Sequence, residues 1–122
     1  MIRILVLDYN AIGYLQAKNV LEKLCVGAEV LFVDNQPGFK KILEGEKFDL
    51  VLIEFMIIGA PTSLELSVVR GLIDAARTNN NKVKIIVVTS SDNQSFIDLL
   101  DSLNVQTTYK EYSYKQLDKL LE

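Results

Sequence analysis

The chain has no histidine and no tryptophan, one cysteine and only two prolines. Without histidine there is no Ser-His-Asp or Cys-His enzyme within this chain. The commonest general base, zinc ligand and near-neutral titrating group are missing with it. Cys25 stands alone, so no intrachain disulfide and no cysteine metal cluster can be built. It reads as a small apolar core residue. Lysine and arginine do not dominate either: 13 basic residues face 16 acidic ones, for a net charge of -3. That argues against direct nucleic-acid binding, which needs clustered cations to displace counterions from phosphates. No apolar run reaches membrane-spanning length and no secretory leader is evident, so the expectation is a cytoplasmic protein with no membrane contact. No Gly-x-Gly-x-x-Gly and no Walker loop occurs.

What is present is a regular alternation. Hydrophobic residues make up 49% of 122 positions, enough for one domain, 1–122, with a core of its own. Five short apolar runs, at 2–7, 29–33, 50–54, 83–88 and 105–109, suit strands buried on both faces of a parallel sheet. The fifth is more polar and fits an edge. Helical patterns lie between them. Ala17, Val20, Leu21 and Leu24 recur at one-face spacing, as do Phe96, Leu99, Leu100 and Leu103. Phe39, Ile42 and Leu43 form a shorter stripe, and Leu66, Val69, Ile73 and Ala76 another. Thr62 with Glu65 three residues on is a capping-box pattern, and the hydroxyls and carboxylate of 89–92 can cap the helix after strand four. A last helix is expected over 113–122, with Tyr114, Leu117 and Leu121 inward.

Five βα units with right-handed crossovers give an α/β three-layer sandwich, a flavodoxin-like (βα)5 fold with strand order 2-1-3-4-5. In such a sheet, ligand chemistry gathers beyond the carboxyl ends of the strands. Asp8 after strand one, Glu54 at the end of strand three and Lys110 after strand five are expected to meet there. Order 2-1-3 makes Asp8 and Glu54 neighbours.

With these residues in place, the chain resembles a response-regulator receiver domain (CheY-like) over essentially its whole length. The resemblance rests on Ile4-Leu-Val-Leu-Asp8, Phe48-Asp-Leu-Val-Leu-Ile-Glu54, Ile85-Ile-Val-Val-Thr89-Ser90 and Lys110. It implies that Glu54 stands where receivers carry the aspartate phosphorylated by a histidine kinase. It implies that Thr89 and Lys110 occupy the positions that contact the phosphoryl oxygens. Asp8 takes one of two acidic positions that hold Mg²⁺. There, a metal and a lysine offset charge as a carboxylate attacks phosphorus.

The departures are specific. Glu54 is one methylene too long, about an ångström of misplacement in chemistry sensitive to that distance. Tyr9 fills the second acidic position. Ile58 and Glu111 stand where prolines are usual, and Thr107 takes the aromatic switch position, with Tyr109 nearby but out of register. The expectation is a pseudo-receiver: a signalling domain, not an enzyme, with no cofactor and a degraded Mg²⁺ site at Asp8. Glu54 then pairs with Lys110 and mimics part of a phosphoryl group, or the pair is only structural. Asp8 is a retained polar site or a helix cap; Thr89 is a phosphate-contact position or a satisfied strand-end hydroxyl. Tyr109, Tyr112 and Tyr114 are interface candidates on the face of helix four, strand five and helix five, where receivers dimerise, or half-buried edge residues. Partners implied are a histidine kinase, an output domain or a second copy. The alternatives are a working phosphoacceptor with an unusual site and a flavodoxin-like module for a small ligand.

Overall fold

The computed structural model describes residues 2–109. Its strands are β1 (Arg3–Leu7), β2 (Glu29–Val33), β3 (Leu50–Glu54), β4 (Lys84–Thr89) and β5 (Gln106–Tyr109). Its helices are α1 (Ala11–Leu24), α2 (Gln36–Gly45), α3 (Ser63–Ala76) and α4 (Gln94–Ser102). The sheet runs β2-β1-β3-β4-β5 and every adjacent pair is parallel. This is the flavodoxin-like order expected from the alternation. The central strands explain it: β3 is Leu-Val-Leu-Ile-Glu and all five of its residues are buried. Residues that suit a pleat covered on both sides leave only crossover connections available.

Strand alternation divides the core. Leu5, Leu7, Val51, Ile53, Ile85 and Val87 point to the larger cluster, where Phe39 of α2, Val69 and Leu72 of α3 and Phe96 of α4 pack. Ile4, Val6, Leu50, Leu52 and Ile86 point to the other side, against Ala17 and Leu21 of α1. Cys25 lies at the border of that second cluster, half-buried. Burial pushes its thiol pKa up, which keeps it a protonated, poorly nucleophilic filler.

The helical stripes fall largely as their spacing predicts, with Leu72 added to the buried row of α3 and Val20, Leu24, Ile42, Leu66, Leu99 and Leu103 only partly buried. The ends differ by a residue or so. β4 begins at Lys84, because the backbone N–H of Val83 closes a turn by donating to Asn80 O at 3.1 Å. The capping box at Thr62 forms: Thr62 Oγ1 accepts from Glu65 N at 3.1 Å, and Glu65 Oε1 accepts from Thr62 N at 2.9 Å. The cap of α4 is not in 89–92. It is Asn93, whose side chain accepts from Phe96 N at 3.0 Å. β5 is an edge strand, as its polarity suggested. The last helix expected over 113–122 lies outside the described residues. Among the described residues no helix is long and apolar enough to cross a membrane.

Candidate functional site

Glu54 closes β3 in register with Val88 of β4. On the other side Leu7 pairs with Ile53, so one further step places Asp8 beside Glu54. Both continue the alternation of Ile4, Val6, Leu50 and Leu52, which puts them on the same side of the sheet. Both are buried, Asp8 at 6% and Glu54 at 8% exposure. Buried carboxylates need partners, and neither is left without one. The two thus share one corner at the carboxyl end of the sheet, as expected.

Asp8 is not the cap of α1. Its Oδ1 accepts from Asn10 N at 2.8 Å, and Asn10 Oδ1 in turn accepts from Ile12 N at 2.8 Å. Asn10 is the N-cap; Asp8 turns the chain just ahead of it. Asn10 suits the task because its short amide reaches the first open N–H groups of the helix.

Tyr9 follows Asp8 but looks elsewhere. It is half-exposed, and its hydroxyl accepts from Gln36 Nε2 at 3.1 Å, at the start of α2. The position offers an aromatic ring and a neutral oxygen in place of a carboxylate. Magnesium favours a near-octahedral set of oxygen ligands supplied in part by carboxylates. Among the described residues no group of three or more His, Cys, Asp or Glu side chains could hold a metal ion.

Thr89, at the end of β4, is 1% exposed, and its Oγ1 accepts from Ser91 N at 3.1 Å. That bond helps to shape the turn after β4. The two serines after it do something that the sequence did not reveal. Ser90 Oγ donates to Ile57 O at 3.0 Å, and Ser91 Oγ donates to Gly59 O at 3.0 Å. They lash the loop after β3 to the loop after β4. Gly59, at φ +67°, gives that loop a left-handed turn that a side chain would strain. The lashed loop leaves Ile58 pointing into solvent at 98% exposure.

Beside Glu54 a cleft of about 310 Å³ opens between the β1–α1 loop, the β3–α3 loop and α3. Tyr9, Phe55, Met56 and Leu64 supply apolar walls; Glu54 and Glu65 border it. Sequence spacing did not announce it, because its walls come from four separate segments, Gln36 at the start of α2 being the fourth. Of the other expected site residues, Tyr109 ends β5 in register with Thr89. Lys110, Tyr112 and Tyr114 lie outside the described residues, and with them the helix-five part of the expected interface.

No family model matches this chain, and no curated protein matches it. Solved structures do. A response regulator from Thermotoga maritima superposes with a TM-score of 0.78 at 22% identity, covering 99% of this chain and 94% of its own. A response regulator receiver protein from Sinorhizobium medicae gives 0.73 at 18%, covering 98% of this chain and 90% of its own. A putative pilus assembly-related protein from Burkholderia pseudomallei gives 0.74 at 17%, covering 99% and 87%. The chain therefore has the CheY-like receiver fold of response regulators. At these identities the likeness carries the fold, and the reading of the site rests on the residues themselves.

Proposed function

We propose that this chain is a receiver-like signalling domain that works through protein contacts in the cytoplasm and does not run the aspartyl-phosphate cycle. One observation carries the reading: Glu54, not aspartate, closes β3 beside Asp8, and the next position toward α2 is Tyr9 rather than a carboxylate. The longer side chain displaces the nucleophilic oxygens, and an incomplete carboxylate set weakens the hold on the metal ion whose positive charge phosphoryl transfer needs. In this reading Glu54 pairs with Lys110, and the carboxylate replaces part of a phosphoryl group, so the domain holds one signalling state. Its partners are a histidine kinase, an output domain, or a second copy docking through α4, β5 and the segment that follows.

Amide NMR spectra recorded before and after adding Mg²⁺ and a small phosphodonor test this. Superimposable spectra are expected, since no covalent change and no metal reorganises the site. Shifts that spread from Asp8, Glu54 and Thr89 along β4 and β5 would refute the proposal.

A further inference from the structure

We propose that the β2 edge of the sheet is an interface with a second copy of this chain. The two β2 strands pair antiparallel about a two-fold axis at Leu31, so that two sheets become one. β2 ends the order β2-β1-β3-β4-β5, so only one of its sides is paired within the chain.

The backbone says which groups are open. Glu29 N donates to Ile2 O at 2.9 Å, and Val33 O accepts from Asp8 N at 3.1 Å. Glu29 and Val33 therefore turn their peptide groups toward β1, and Leu31 does so by alternation. Val30 and Phe32 turn their N–H and C=O outward. Among the described residues, no bond to these outward groups forms.

The strand also lacks the devices that keep sheet edges apart, which are lysines, prolines and bulges. It reads Glu-Val-Leu-Phe-Val, and its register with β1 is unbroken. Its one charge, Glu29, lies 3.4 Å from Arg3 Nε. Val30, Leu31 and Phe32 are half-buried, so apolar surface beside the open backbone still meets water. The opposite edge differs: β5 reads Gln-Thr-Thr-Tyr.

The sequence of β2 is its own complement, which points to a second copy. With Leu31 facing Leu31 at the axis, Val30 of each chain faces Phe32 of the other. Each such pair then exchanges both of its backbone bonds, because these are the outward-facing groups. Leu31 lies on the side of the larger core cluster, while Phe32 stacks at 4.3 Å on Tyr14 of α1 across the sheet. The joint thus has a leucine pair on one face and aromatic–valine pairs on the other, both favourable across strands. No like charges meet: Glu29 falls opposite Val33, and Asp34 opposite Ala28. The pairing ends there, since Ala28 N already donates to Cys25 O at 3.0 Å. Leu15, beside Tyr14 on α1, is 54% exposed and adds apolar area at the margin. One strand from each copy makes a small interface, so the dimer is weak and forms with concentration. This edge lies at the other end of the sheet from β5, so the inference stands apart from docking through α4 and β5 and needs no chemistry at Glu54.

The test is sedimentation equilibrium of the full chain up to about 200 µM, where a monomer–dimer equilibrium with Kd on the order of 10–100 µM is expected. Leu31→Lys sets two ammonium groups opposite each other and should weaken the dimer on the order of tenfold or more. Its amide NMR dispersion separates lost pairing from lost fold. A second measurement does not depend on that variant. Facing residues of a non-hydrogen-bonded antiparallel pair have Cα atoms about 4.5 Å apart, within disulfide reach. Leu31→Cys in a Cys25→Ser background should therefore form a covalent dimer under oxidised glutathione. Val26→Cys in the same background, 92% exposed but off the strand, should do so on the order of tenfold more slowly. A monomer at every concentration, a dimer that folded Leu31→Lys leaves intact, or cross-linking no faster at 31 than at 26 would each overturn the proposal.

Discussion

Phe96→Ala will cost the fold about 3–5 kcal/mol. Phe96 is 1% exposed, on the buried stripe of α4, inside the larger core cluster. Removing it loses the transfer energy of a buried aromatic ring and leaves a cavity that a close-packed core refills only partly. A domain's whole stability is about 5–15 kcal/mol, so this one change takes a large share of it. The effect reaches the site. The Phe96 ring lies 6.4 Å from that of Phe55, which directly follows Glu54. Losing that neighbour should loosen the loop carrying Met56 and Ile58. Urea denaturation should show a lower midpoint with an unchanged slope. A loss below about 1 kcal/mol would mean that α4 does not close this core.

The double change Tyr9→Asp/Glu54→Asp will raise Mg²⁺ affinity on the order of tenfold or more over that of the natural chain. It adds a carboxylate next to Asp8 and shortens the one at the end of β3 by a methylene. Affinity for a hard cation follows the number and charge of oxygen ligands that can converge on it. Tyr9 is half-exposed, and its hydroxyl is bonded to Gln36, so its removal opens little of the core. Glu54→Asp alone leaves the aromatic ring in place and should gain little. Calorimetric titration with Mg²⁺ across the natural chain, the single and the double variant checks this. Equal affinities in all three would show that the side chain at position 9 does not limit metal binding.

Much of the fold was legible in the sequence because its signals are local and periodic. Continuous apolar runs gave the strands, one-face spacing gave α1 to α4, and the Thr62/Glu65 pattern placed the start of α3 to within a residue, at Thr62 or Ser63. Order 2-1-3-4-5 then put Asp8 beside Glu54 through pattern alone. What stayed hidden is held by bonds between distant segments. Ser90 and Ser91 reach carbonyls 33 and 32 residues away, so adjacent serines look like candidate caps until the loops are folded together. Asp8 and Asn10 compete for the same local role, and only the geometry shows that Asn10 caps α1. The bond from Ser91 N to Thr89 Oγ1 was likewise not legible from the residue types. The direction of the Tyr9 side chain depends on Gln36, across a crossover connection.

The central claim is that Glu54 ends β3 in a receiver fold without acting as a phosphoacceptor. Intact-mass spectrometry of the natural chain, after incubation with a small-molecule phosphodonor with and without Mg²⁺, tests it most directly. The account predicts one unchanged mass under both conditions. A Mg²⁺-dependent gain of one phosphoryl group, lost in Glu54→Gln, would contradict it and make this chain a working receiver with glutamate as its acceptor.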